Sequence, residues 1–142
     1  MASRSTSKIW EYLGNLEKDK LSHALRSLAD TEQELANLEA SVVKMQEMKN
    51  EYLTKLNQAD SGQDIAIVEL TTSINFIGRI EEALRHSAAR RLELNKHLRQ
   101  AKQHCADRQV DVKKYAILGE KELKASALKD RQEEQKQADQ HA

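Results

Sequence analysis

Proline is absent from this chain of 142 residues, and only four glycines are present. Proline interrupts helices because it lacks the backbone donor and clashes with the preceding turn, so long helices can run here without a break. One polar cluster, 58–64, contains Gly62 and is typical of a turn. These features predict an all-α fold: a long two-helix antiparallel coiled-coil hairpin that forms a single domain.

The expected element bounds follow from the same pattern. We expect helix one over about 7–58, a turn over about 59–63 and helix two over about 64–138. Ser61, followed three residues later by Asp64, resembles a capping box at the start of helix two, with Asp in place of the usual Glu or Gln.

Other residue types are scarce or balanced. Cys105 is the only cysteine, so no internal disulfide can form. Aromatic residues make up 4% of the chain and charged residues 32%, a composition typical of coiled coils. Lys and Arg number 23, as do Asp and Glu, so the formal net charge is zero. This balance argues against a nucleic-acid partner and against adsorption to anionic lipid.

No apolar segment at the start of the chain matches a signal peptide, and none approaches the roughly 20 residues that cross a bilayer. We therefore expect a cytoplasmic protein without direct membrane insertion. The sequence also contains no Gly-rich phosphate loop and no nucleophile–base arrangement, and a two-helix hairpin is not expected to form a concave site. His97 and His104 are too far apart in sequence to share one zinc ion with Cys105. We expect no enzyme activity, no metal and no cofactor.

Each helix carries a predicted seam, meaning the row of residues that faces the other helix at alternating steps of three and four. The predicted seam of helix one is Leu21, Ala24, Leu28, Thr31, Leu35, Leu38, Val42, Met45, Lys49, Tyr52, Leu56. Upstream, the apolar stripe Ile9, Leu13, Leu16 continues it after a phase slip. The predicted seam of helix two is Ile67, Leu70, Ile74, Ile77, Glu81, Leu84, Ala88, Arg91, Asn95, Leu98, Lys102, Cys105.

Folding the chain at the turn sets a register. Tyr52 then lies opposite Leu70 and Met45 opposite Ile77, with a constant sum of residue numbers, as an antiparallel hairpin requires. In this register the residues of helix two beyond about 117 have no partner on helix one. That charged tail is either a solvated helix end or a helix that docks on a partner.

Two further features have two interpretations each. Phe76, Ile80 and Ala83 form an apolar row outside the predicted seam, which is either a partner-binding surface or a broadened core stripe. Trp10 and Tyr12 flank the start of helix one and either pack against valines of helix two, Val110 and Val112, or belong to a partner site near the termini.

Three segments carry a family resemblance. Residues 49–56 (KNEYLTKL) and 75–83 (NFIGRIEEA) resemble the middle of FliJ, the flagellar export protein family, and 131–140 (RQEEQKQADQ) is similar to the family's C-terminal pattern. The resemblance covers the whole length of the chain.

The resemblance implies a coiled-coil stalk in the flagellar type III export apparatus, cytoplasmic and peripherally associated with the inner membrane. Its implied partners are the hexamer of the FliI-type export ATPase, the cytoplasmic domain of the FlhA-type gate protein, and export chaperones. Alternatives are the YscO-type stalk of a virulence type III secretion system and a coiled-coil scaffold or holdase with no ATPase partner.

The resemblance also suggests site residues. The implied gate-binding residues are Phe76, Ile80, Ala83, Met48, Tyr52 and Met45. The implied contacts with the ATPase ring, which the paired termini would enter, are Trp10, Tyr12, Arg131 and Gln135.

Overall fold

The structure, a computed structural model, describes residues 2–60 and 66–141, with side chains described for 8–58 and 66–141. This part of the chain forms two helices, α1 (Ala2–Asp60) and α2 (Ile67–Gln140). They pack against each other, which confirms the all-α helical hairpin.

The helices are longer than expected at their outer ends. α1 begins at Ala2 rather than near residue 7, and α2 continues to Gln140. At the predicted turn, residues 59 and 60 still belong to α1 and α2 begins at Ile67. The rest of the predicted turn, together with the predicted capping box of Ser61 and Asp64, lies outside the described residues.

The chain divides into two compact units. Ala29–Gln100 forms one, which we call the turn unit. Met1–Leu28 and Ala101–Ala142 form the other, which we call the terminal unit. Each unit contains part of α1 and part of α2, and therefore has a helix–helix contact of its own.

The seam of α1 matches the prediction from Leu21 onward. Every predicted position from Leu21 to Leu56 is buried or half-buried, and Ala24 in the terminal unit is only 5% exposed. The match follows from composition, because most of these positions carry an aliphatic, Ala or Tyr side chain. Lys49, the one charged member, lies half-buried and its ammonium reaches Glu81 on α2 at 3.4 Å. Its long stem can pack in the seam while the charge stays near water.

The seam of α2 was predicted in the wrong phase over much of its length. Ile80 and Leu94, which were outside the predicted seam, are 5% and 2% exposed. The predicted seam members on the surface are Ile67, Ile74, Ala88, Arg91, Asn95 and Lys102. The observed seam instead passes through two serines, Ser73 and Ser87, which are half-buried. Because small polar residues occupy inner positions, the apolar pattern alone favoured the wrong helix face.

The register is also displaced from the prediction. In the turn unit the Tyr52 ring contacts Phe76, with ring centroids 4.7 Å apart, rather than lying opposite Leu70. Arg91 on α2 bonds Glu39 on α1, Nε to Oε1 at 2.7 Å. The partner of Tyr52 on α2 is thus more than one helical turn further along than expected.

In the terminal unit the predicted phase slip of α1 does not occur. Between residues 8 and 20 the buried or half-buried residues of α1 are Trp10, Leu13, Gly14 and Glu17, of which Trp10, Gly14 and Glu17 continue the seam in phase. A Cβ built at Gly119 would lie 3.6 Å from the Cβ of Trp10. α2 therefore has partners on α1 beyond residue 117, contrary to the prediction. From residue 127 to 140 every residue of α2 is exposed.

Candidate partner-binding surfaces

The predicted gate-binding residues lie in the turn unit, and the structure gives them different degrees of exposure. Met48 is 39% exposed. Tyr52, Phe76, Ala83 and Met45 are half-buried. Ile80 is 5% exposed and belongs to the core, so its predicted position outside the seam is wrong. The broadened-core interpretation therefore holds for Ile80.

An aromatic pair anchors this surface. The rings of Tyr52 and Phe76 are tilted by 41° with centroids 4.7 Å apart, a favourable geometry for aromatic pairs. The ammonium of Lys55 lies 5.2 Å from the centre of the Tyr52 ring, within the range of a cation–π contact. Tyr52 joins α1 to α2 here while leaving part of both rings accessible. We call Met48, Tyr52 and Phe76 the aromatic patch.

A charged cluster lies elsewhere in the turn unit. Arg90 on α2 bonds Glu34 on α1 and also Glu93 on its own helix, the latter at 3.0 Å. The hydrogen bond and charge of Arg90 hold the pKa of the Glu93 carboxyl below its ordinary value. The hydrogen bond to Glu34, followed by the one to Glu93, raises the pKa of Arg90. Both groups are well exposed, so the cluster contributes little to the free energy of unfolding.

The terminal unit has an open groove of about 320 Å³ between its helices, which the sequence did not predict. It is lined by Trp10, which stacks on Tyr115 with ring centroids 5.9 Å apart and an interplanar angle of 29°. Gly14 and Gly119 lie beside the two rings, and a Cβ added at Gly14 would be 3.7 Å from that of Tyr115. Val112 also lines the groove, whereas Val110 is 65% exposed.

The predicted ring-contact residues do not form one cluster. Trp10 is half-buried in the groove, and Tyr12 is 65% exposed. Arg131 and Gln135 belong to the fully exposed segment 127–140. At 1.5 Å per residue, Arg131 lies about 18 Å along the helix from Gly119, which contacts Trp10.

Glu17 is a buried acidic residue in the terminal unit that sequence reasoning did not find. It is 9% exposed, and each of its two carboxylate oxygens forms an ion pair. Arg108 reaches Oε2 at 3.3 Å and Lys20 reaches Oε1 at 3.2 Å. From sequence alone, a carboxylate such as that of Glu17 is expected on the surface. Its burial is explained by the position of Arg108 in space. We call Glu17, Lys20 and Arg108 the polar layer.

Within the described residues, no group of three or more His, Cys, Asp or Glu side chains could hold a metal ion. Over the same residues, neither helix has a stretch apolar and long enough to span a bilayer. The helix faces and the open groove of the terminal unit are surfaces of a kind that suits protein contacts.

The sequence model of the flagellar FliJ protein family matches residues 11–142. The chain belongs to the FliJ family. Neither a search of curated proteins nor a search of solved structures found a match.

Membership in the FliJ family implies a stalk role in flagellar type III protein export and contacts with other proteins of the export apparatus. The match spans residues of α1 and α2 in both units, and so includes the aromatic patch and most of the groove. FliJ is a structural component of that apparatus rather than a known enzyme.

Proposed function

We propose that this FliJ-family chain is the coiled-coil central stalk that couples the FliI-type export ATPase hexamer to the FlhA-type gate protein and assists the handling of export chaperones. The observation that carries the proposal is the family match over residues 11–142, nearly the whole length of a helical hairpin. A stalk needs continuous helices and separate contact surfaces, and the described residues form two long helices with different surfaces in the two units.

In this proposal the gate protein binds the aromatic patch. Partly exposed aromatic and methionine side chains are the types enriched at the centres of protein interfaces. Ile80 and Met45 have a supporting role in this proposal, because they lie in the seam between the helices that carry Tyr52 and Phe76. Ala83 contributes a small half-buried side chain at heptad spacing from Phe76 and so borders the same face.

The ATPase ring, in the same proposal, contacts the terminal unit. Tyr12 on α1 offers an exposed phenol, and Arg131 and Gln135 offer long polar side chains on the exposed end of α2. Trp10 supports this contact from the groove, where it fixes α1 against Tyr115.

The decisive experiment measures turnover of the cognate export ATPase with and without this protein. Stimulation is expected with the full chain. A chain that ends at Ser126 should keep its fold, because residues 127–141 bury no side chain, and should lose stimulation. If the full chain has no effect on turnover, the stalk proposal is wrong. If the shortened chain stimulates equally, the assignment of Arg131 and Gln135 is wrong.

The gate contact is tested with two residues of nearly equal exposure. Met48 is 39% and Leu53 is 38% exposed, and they lie on different faces of α1. Met48→Asp should weaken binding to the gate protein by about tenfold or more, as expected for the centre of an interface. Leu53→Asp should leave binding unchanged. Equal affinities for the two variants, with helicity retained in both, would remove the aromatic patch from the proposal.

A further inference from the structure

Two stripes of residues run side by side on the first turns of α1, and the more apolar stripe is the exposed one. Ile9 is 53%, Tyr12 65% and Leu16 39% exposed, and we call these three residues the outer stripe. The stripe that faces α2 consists of Trp10, Gly14 and Glu17, and Leu13 lies half-buried beside them. The observed phase thus leaves Ile9, Tyr12 and Leu16 exposed while a carboxylate lies in the seam.

A rotation of α1 by one residue, about 100°, would exchange the two stripes. Ile9 and Leu16 would then face α2, Leu13 would be covered further, and Glu17 would reach water. That rotation would bury more aliphatic surface and remove a carboxylate from the seam, both of which favour it. A local phase change of this kind is what a stutter or stammer produces in coiled coils. Some specific contact must therefore oppose it.

The polar layer supplies such a contact. Glu17 bonds Arg108 at 3.3 Å and Lys20 at 3.2 Å, and the side chains of Glu17 and Arg108 are only 12% and 29% exposed. Arg108 lies half-buried on the face of α2 that Glu17 meets in the observed phase. His23 and His104 line a small groove together with Lys20 and Arg108.

The aromatic residues fit the same phase. Trp10 stacks on Tyr115 and approaches Gly119, while Tyr115 approaches Gly14. Each ring thus has a glycine beside it on the opposite helix. The fit depends on Trp10 facing α2, and a one-residue rotation would carry Trp10 outward.

We propose that the Glu17–Arg108 pair selects the rotational phase of α1 in the terminal unit and thereby keeps the outer stripe on the surface. The pair thus keeps an apolar stripe exposed that contact with α2 would otherwise cover. This inference goes beyond the proposed stalk function and does not depend on it, since both measurements that test it use the isolated protein.

The test is Arg108→Leu, which leaves Glu17 at a buried position without its partner on α2. The expected result is rotation of the first turns of α1, so that Glu17 reaches water. Trp10, the only tryptophan of the chain, should leave Tyr115, and its emission maximum should shift to the red. In a Leu16→Cys reporter, thiol labelling should slow several-fold on adding Arg108→Leu, because position 16 becomes covered. Cys105 is 5% exposed and adds little labelling of its own.

Two controls separate phase selection from simple loss of packing. Arg108→Lys keeps a cation and should keep both wild-type signals. The double variant Glu17→Leu with Arg108→Leu places an apolar side chain on the seam at position 17, so burial of that side chain replaces the ion pair in favouring the wild-type phase, and both signals should stay as in the wild type. A red shift in the double variant would overturn the proposal. So would an unchanged Trp10 emission in Arg108→Leu, or a red shift together with faster labelling of position 16, which would mean that the helix end had unravelled instead of rotating.

Discussion

Leu94 and Leu92 offer a direct test of the observed seam, because they are the same residue type two positions apart on α2. Leu94 is 2% exposed and Leu92 is 75% exposed. Truncation of a buried leucine to alanine costs about 2–5 kcal/mol through lost transfer free energy and the cavity left behind. We expect Leu94→Ala to lower the free energy of unfolding by about 2–3 kcal/mol, the lower part of that range. Only two helices border the site, and they can close part of the cavity.

Leu92→Ala is the matched control and should change the free energy of unfolding by less than about 0.5 kcal/mol. Urea unfolding followed by far-ultraviolet circular dichroism measures both variants, and the slope of free energy with urea should stay constant. Equal costs for the two variants would refute the observed seam. A negligible cost for Leu94→Ala alone would favour the seam that the sequence suggested, through Arg91 and Asn95.

Three further outcomes follow from contacts in the turn unit and on α2. Gly78→Ala should raise the free energy of unfolding by about 1 kcal/mol, because no atom lies within 4 Å of the added Cβ and Ala is the better helix former; a fall in thermal stability would contradict that open space. Alanine substitution of Tyr52 and Phe76, singly and together, should give a coupling free energy of about 0.5–1.5 kcal/mol in urea unfolding, and a value of zero would mean that the rings do not interact. Arg90→Gln should return the pKa of Glu93 to its ordinary range in an NMR titration. The pKa of Glu93 is lower in the folded state, so its pair with Arg90 stabilises the fold above the ordinary pKa and this effect is lost as pH falls through the lowered value. Between these two pKa values, Arg90→Gln should therefore lose less stability with falling pH than the wild type.

The fold class and the α1 seam could be predicted from sequence because the information is local. Absence of proline and regular steps of three and four from Leu21 to Leu56 are properties of one segment at a time. The phase of α2 is different, because Ser73 and Ser87 occupy inner positions while Ile74 is exposed. Small side chains in a seam are acceptable only where the facing helix fills the space, which a single segment does not reveal.

The candidate surfaces were predictable only in part for the same reason. Phe76 and Tyr52 were identified together, and the structure places their rings in contact. Ile80 was assigned to the wrong side because the predicted seam of α2 was out of phase. Glu17 could not be recognised from its surroundings in sequence, since its burial depends on Arg108, which is distant along the chain.

The exposure of 127–140 at the end of α2 provides a way to detect a partner bound to this segment. A segment of this length without buried side chains has only local helix stability, which is marginal for about 12–15 residues. Its amide hydrogens should therefore exchange with solvent far faster than those near Ile77 or Leu94, which open only with the core. A partner that binds this end adds its binding free energy to the local opening free energy. Slowed amide exchange confined to 127–140 would thus report an occupied end without any label, mutation or enzymatic readout.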